Sequence, residues 1–162
     1  MKNKGFTLIE MLVVVSLIGL VSIIASGFLI VSLMSSSKAN ITKEIRQSGN
    51  YALSVMEGLI LGSVSVGCSS PNIITVKDNY GNQTSFICEE GGKISSSSAL
   101  ATVNLTGDNV TVSGCNFTCP LISGLPPKVH IEYTLNKGDA ASRPSEKATI
   151  KFETEVISKN LN

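Results

Sequence analysis

The chain has 162 residues, 13 Lys and Arg against 12 Asp and Glu, and a formal net charge of +1. That balance excludes an electrostatic case for nucleic acid as an obligate partner, and the length allows one domain or one domain with an appendage. With no Trp and an aromatic share of 5%, any folded part has a modest core.

Lys2 and Lys4 lead through Gly5 into an apolar run from Phe6 to Met34, in which Glu10 is the one charge. As a helix the run measures about 43 Å, against a hydrocarbon core of about 30 Å, so it is long enough to span. A cleaved secretory signal has an apolar core of roughly 7–15 residues; this run is longer, and Ala25-Ser26-Gly27 is a poor cleavage motif. A plain signal anchor would keep Lys2 and Lys4 in the cytoplasm, although Lys38, Lys43 and Arg46 on the other flank weaken that asymmetry. Glu10 is what a plain anchor leaves unexplained. A carboxylate at mid-helix in a membrane costs about 2.5–3.5 kcal/mol and is usually paired or functional. Near the helix start it can snorkel to the interface, favoured by the positive end of the helix dipole. Alternatively it meets a cation at its own depth, and cleavage after Gly5 would create one, the new amine of Phe6.

The string Gly5-Phe6-Thr7-Leu8-Ile9-Glu10, behind a Lys-bearing leader and ahead of a long apolar run, resembles the processing signal of bacterial type IV prepilins and type II secretion pseudopilins. The resemblance covers about the first third of the chain; beyond it only the architecture is similar. It implies that a membrane prepilin peptidase cuts between Gly5 and Phe6, removes leader residues 1–5 and methylates the Phe6 amine. It also implies that Glu10 pairs with the Phe6 amine of a neighbouring subunit. The implied partners are other pilin or pseudopilin subunits through their N-terminal helices, the prepilin peptidase, an inner-membrane assembly platform and the lipid bilayer, with no nucleic acid expected. The implied location is the cytoplasmic membrane, N-terminus inside and head outside, and then a filament. Gly19 and Gly27 permit close helix packing; Gly27 stands where many major pilins carry proline, a departure from the pattern.

Past a polar joint at residues 35–40, residues 35–62 read as an amphipathic continuation of the helix. Ile41, Ile45, Ala52, Met56, Leu59 and Ile60 recur at three- and four-residue steps between polar positions, Val55 widens the stripe, Gly49 interrupts it, and Gly62-Ser63 looks like an ending. One helix from Phe6 to Leu61 would be about 84 Å long. This stripe reads as ordinary core, packed on a sheet.

From residue 63 the period changes to two. Ile74 and Val76, then Phe86 and Cys88, flank the turn Asp78–Asn82 as a hairpin. Ala101, Val103 and Leu105 alternate before Gly107-Asp108-Asn109 turns the chain into Val110 and Val112. Val129, Ile131, Tyr133 and Leu135 alternate with polar residues, as do Ala148, Ile150, Phe152 and Val156. The expectation is one half-buried antiparallel sheet with a polar face. Gly91-Gly92 and Ser95–Ser98 read as a solvated loop, and Asn136–Glu146 as another. The fold class is therefore α+β, a long N-terminal helix packed on a small antiparallel head spanning residues 63–162.

Four cysteines in a small polar head favour disulfides in an oxidising compartment and allow three pairings. The pairing expected is Cys115–Cys119, closing a tight loop, and Cys68–Cys88, tying the helix exit to a strand. A four-thiolate zinc site is the rival, disfavoured because Cys68 and Cys88 are scattered. His130, the only histidine, reads as a solvated surface residue. Asp78, Asn79 and Asn82 could offer oxygens to calcium, but a hairpin turn explains them more simply. No phosphate loop, dinucleotide fingerprint or catalytic carboxylate pair is present, so neither enzyme, cofactor nor metal is expected. The reading is a structural, pilin-like subunit. Its alternatives are a minor pilin whose head adheres or captures DNA, for which Lys137, Arg143 and Lys147 are a thin hint, and a signal-anchored surface protein that never polymerises.

Overall fold

The structure is a computed structural model that describes residues 5, 7–120, 126–139 and 141–158. It is α+β: helix α1 (Leu8–Gly62) is followed by eight antiparallel strands, β1 (Ser65–Ser70), β2 (Ile73–Lys77), β3 (Gln83–Cys88), β4 (Ile94–Ser98), β5 (Thr102–Asn104), β6 (Thr111–Thr118), β7 (Lys128–Lys137) and β8 (Ala148–Ile157). A short 3-10 turn, Pro144–Glu146, precedes β8. The chain forms two compact units, Met1–Ser37 and Lys38–Asn162.

In the first unit every large apolar side chain from Leu8 to Met34 is exposed, and the helix is long and apolar enough to cross a membrane. Each such side chain gains about 1.5–3 kcal/mol on leaving water, so this segment demands lipid or other helices around it.

In the second unit the buried face of α1 is Ile45, Gly49, Ala52, Met56 and Ile60, steps of four, three, four and four. Leu59, expected in that stripe, is 43% exposed. Gly49 does not interrupt the stripe; it is the point of closest approach. The phenol of Tyr133 donates to the Gly49 carbonyl at 2.8 Å, and the ring of Phe152, stacked on Tyr133 at 5.5 Å between centroids, fills the space where a Cβ would stand. Burial, with Glu57 nearby, raises the Tyr133 phenol above its ordinary pKa, as expected for a group stable only when neutral. A Cβ on Gly49 would lie 2.2–2.5 Å from three Phe152 ring atoms. Gly49→Ala should therefore lower the melting temperature of the head, because overpacking of about 1–3 kcal/mol outweighs a helix-propensity gain of about 1 kcal/mol. Gly58→Ala, on the exposed side with nothing within 4 Å, should raise it. Equal shifts in thermal melts of the two variants would refute this account.

The strands form two sheets where one was expected. The first is five-stranded, ordered β1-β2-β3-β4-β5, and the second three-stranded, ordered β6-β7-β8. One apolar cluster joins both to α1. The β2–β3 hairpin is as read, with Ile74 opposite Phe86 and Val76 opposite Thr84. The alternation on β7 also holds, with Val129, Ile131, Tyr133 and Leu135 all buried. Ser95–Ser98, expected as loop, belongs to β4 and pairs with β3 on one side and β5 on the other. A strand ladder is made by backbone groups, so a serine run is carried by its neighbours whatever its own weak propensity. Gly91, at φ 72°, makes the turn before it in a conformation that favours glycine.

The cysteine pairing differs from the expected one. The bridges join Cys68 to Cys119, with Cα atoms 5.6 Å apart, and Cys88 to Cys115, 6.2 Å apart. Strand geometry explains why Cys68–Cys88 and Cys115–Cys119 fail. Cys68 lies on β1 and Cys88 on β3, with β2 between them, so their backbones stand about 9.6 Å apart, beyond the reach of about 7 Å. Cys115 and Cys119 are four steps along one extended chain, about 13 Å. Instead β6 crosses the end of the first sheet where β1 and β3 finish and β2 and β4 begin. It is held there by Phe117 N–H donating to the Pro71 carbonyl at 2.6 Å, Gly91 N–H to Val112 at 2.8 Å and Val112 N–H to Gly92 at 3.1 Å. That crossing brings Cys119 to Cys68 and Cys115 to Cys88.

Candidate functional site

The N-terminal segment holds the residues on which the sequence reading converged. Gly5 lies ahead of the helix, exposed and outside regular structure; Phe6 and leader residues 1–4 lie outside the described residues. Glu10 sits in the first turn of α1. Its Oε2 accepts the Thr7 backbone N–H at 2.9 Å and the Thr7 hydroxyl at 2.8 Å, while the Glu10 N–H donates to Thr7 Oγ1 at 3.3 Å. This reciprocal pair is a capping box, in which an N-cap threonine and a glutamate three residues on satisfy two otherwise orphan helix donors. The sequence reading weighed Glu10 as a charge and missed Thr7 as its hydrogen-bond partner. The signal was present as Thr-x-x-Glu ahead of an apolar run. The carboxylate is thus supplied with donors within one chain, and among the described residues these donors are neutral.

Three serines of this segment are satisfied inside the helix. Ser16 donates to the Val13 carbonyl, Ser22 to Ile18 and Ser26 to Ser22, each at 2.8 Å. Their demand for a partner is therefore met locally. A Cβ at Gly19 or Gly27 would meet nothing within 4 Å. Glu10 is the one ionisable side chain between Thr7 and Ser37, so it alone distinguishes this surface from a generic apolar helix.

The candidates on the head are placed as follows. Asp78 Oδ1 accepts the N–H groups of Tyr80 at 2.8 Å and Asn82 at 2.9 Å, and its Oδ2 accepts the Asn82 amide at 2.8 Å. The Asn82 amide bond, ahead of the backbone donors, holds the Asp78 carboxyl below its ordinary range. The carboxylate is a turn-former, as the hairpin reading had it. Lys137, part of the basic hint near the tip loop, is ion-paired with Glu44 of α1, and this bond lowers the Glu44 carboxyl. His130 is not freely solvated. Its side chain is 21% exposed, within 4 Å of Glu132, Glu153 and Glu155. Period two puts His130 beside Glu132 and Glu153 beside Glu155, but only the β7–β8 register, Glu132 opposite Glu153 and His130 opposite Glu155, unites the pairs. Hydrogen bonds from Lys151 and Lys128 hold the Glu132 and Glu155 carboxyls below their ordinary range.

Residues 1–26 match the family model of the prokaryotic N-terminal methylation motif. No curated protein and no solved structure matches the chain. The chain thus carries the type IV pilin and pseudopilin signal, and that signal points to a membrane-anchored structural protein that assembles with other pilins.

Proposed function

We propose that this chain is a structural subunit of a type IV pilus or of a secretion or competence pseudopilus. In this reading residues 1–5 are a leader removed by prepilin peptidase, Phe6 becomes the methylated N-terminus, residues 6–34 pack in the membrane and then in the filament core, and residues 63–162 form the extracytoplasmic head. The observation that carries it is the methylation motif at residues 1–26 running into a helix whose apolar side chains are exposed from Leu8 to Met34 and whose one charge is Glu10.

The capping box supports a specific course of docking. In the lone subunit the Glu10 carboxylate keeps hydrogen bonds to Thr7, so it enters the bilayer with its acceptors partly satisfied and its charge uncompensated. A neighbour that presents a Phe6 ammonium at that depth supplies the missing opposite charge. Bonds to a charged donor are about twice as strong as neutral ones, so the exchange favours the docked state. Packing of the apolar side chains supplies most of the affinity, and the charge pair selects the register, a well-attested use of buried charge.

The deciding experiment is the intact mass of the protein extracted from its own membrane, before and after reduction. The expected result is a chain lacking Met1–Gly5 and carrying one extra methyl group, gaining four hydrogens on reduction of the two disulfides. A full-length, unmethylated mass from a cell that contains the peptidase would overturn this reading in favour of a signal-anchored surface protein.

A further inference from the structure

We propose that the outer face of the β6-β7-β8 sheet carries a binding site for one borderline divalent transition-metal ion, Zn2+ being the type ion, with His130 Nε2, Glu132 Oε2 and Glu153 Oε1 as ligands. The three residues offer donor atoms that all lie within 4.8 Å of one another. Nε2 is 3.6 Å from Glu132 Oε2 and 3.9 Å from Glu153 Oε1. Zinc binds nitrogen and carboxylate oxygen at about 2.0–2.2 Å, which in a tetrahedron separates neighbouring donors by about 3.3–3.6 Å. The two histidine edges need a contraction of a few tenths of an ångström. The carboxylate–carboxylate edge, within 4.8 Å, needs at most about 1.5 Å against that spacing, within the rotamer freedom of two glutamates on a partly solvated face.

The oxygens outside that triangle are what make this more than a crowd of carboxylates. Lys151 binds Glu132 through Oε1 at 3.0 Å and Glu153 through Oε2 at 3.1 Å. Those are the two oxygens that do not face His130, so the ammonium orients both ligands from behind. On the far side of the imidazole, Nδ1 is 3.8 Å from Glu155 Oε1, and Glu155 is held in turn by Lys128 at 2.7 Å from its other oxygen. A metal-binding histidine is commonly backed by a carboxylate at its second nitrogen, and ligating carboxylates are themselves hydrogen-bonded. Here both glutamates have such backing, and Glu155 stands at the second imidazole nitrogen at 3.8 Å, just beyond hydrogen-bond distance. Three glutamates against two lysines also leave one negative charge in excess around the imidazole. A mixed imidazole and carboxylate set suits zinc, copper or nickel better than calcium or magnesium. The ion would join β7 to β8 at the Glu132–Glu153 pair, with water completing its coordination.

The competing soft ligands are absent: all four cysteines are in disulfides, and the chain has one histidine. The test is therefore clean if the full chain is purified in detergent without a polyhistidine tag, stripped with chelator and titrated calorimetrically with Zn2+, with Co2+ absorption as a second readout. One Zn2+ per chain is expected, unchanged by an equal concentration of Ca2+. His130→Ala should weaken binding at least about 100-fold, and Glu155→Gln, a positioning residue, about 10–100-fold. Both variants should keep a cooperative melt without metal, shifted by at most a few degrees, since partly exposed ion pairs contribute about 0–1 kcal/mol. No binding by the parent, displacement by Ca2+, or equal affinity in parent and His130→Ala would overturn the site. None of these outcomes bears on the processing or assembly of the subunit.

Discussion

Glu10→Gln is expected to insert into the membrane normally and to be lost from filaments. Glutamine keeps the side-chain oxygen that accepts from Thr7, and capping boxes are built from glutamine as well as glutamate, so the start of α1 should hold. What it loses is the charge. In a dry filament core, an ammonium deprived of its carboxylate costs about 3–5 kcal/mol, or roughly a hundredfold to several thousandfold in docking at 1.36 kcal/mol per factor of ten. The converse variant separates the two roles of the residue. Thr7→Ala removes the cap, at about 1 kcal/mol, but leaves the charge, and should incorporate at near-parental levels. The measurement is the ratio of sheared filament to membrane-bound protein for each variant, expressed beside the parent. If Glu10→Gln is incorporated like the parent, the carboxylate serves the helix start alone and charge pairing is not part of assembly.

Loss of both disulfides is expected to unfold the head. In the chain-entropy account, closing loops of 51 and 27 residues restricts the unfolded chain by about 4 and about 3.5 kcal/mol. A domain of this size has a total stability of about 5–15 kcal/mol, and this one has no Trp and a small aromatic share. Replacing Cys88 and Cys115 by Ser together should lower the melting temperature while leaving a cooperative transition. Replacing all four should abolish the transition and leave residues 63–162 open to protease. Non-reducing peptide mapping of the parent checks the premise, with Cys68 expected in one cross-linked peptide with Cys119 and Cys88 in another with Cys115. A Cys115–Cys119 product would contradict the crossing of β6 over the end of the first sheet.

Much of this architecture is local physics. A run without charges other than Glu10 must be a helix in an apolar medium, because a helix satisfies its backbone groups internally. The steps from Ile45 to Ile60 and the alternation from Val129 to Leu135 are written in residue order, and so is the hairpin at Asp78–Asn82. The methylation motif and the capping box are local as well, since Thr7 and Glu10 meet through one turn of helix.

What the residue order leaves open is every relation between strands that are not neighbours in the chain. Ser95–Ser98 is a strand only because β3 and β5 flank it, and the same four residues alone favour a loop. The division into two sheets depends on β6 crossing an end of the first sheet rather than pairing with β5. Gly49 is a gap in a sequence stripe and a seat for Phe152 in the folded head, 103 residues on. His130 meets Glu153 through one β-register, and a slip of one residue would turn one of them to the opposite face. The cysteines make the point most directly. Their number and the expectation of disulfides were legible, whereas their pairing required knowing that β2 separates Cys68 from Cys88 and that β6 is extended between Cys115 and Cys119. The sequence by itself determined the helix, its signal and the periods of the strands, because those are set within a few residues; the sheets, the bridges and the His130 cluster were decided by tertiary packing, because they depend on distances between segments that no local period encodes.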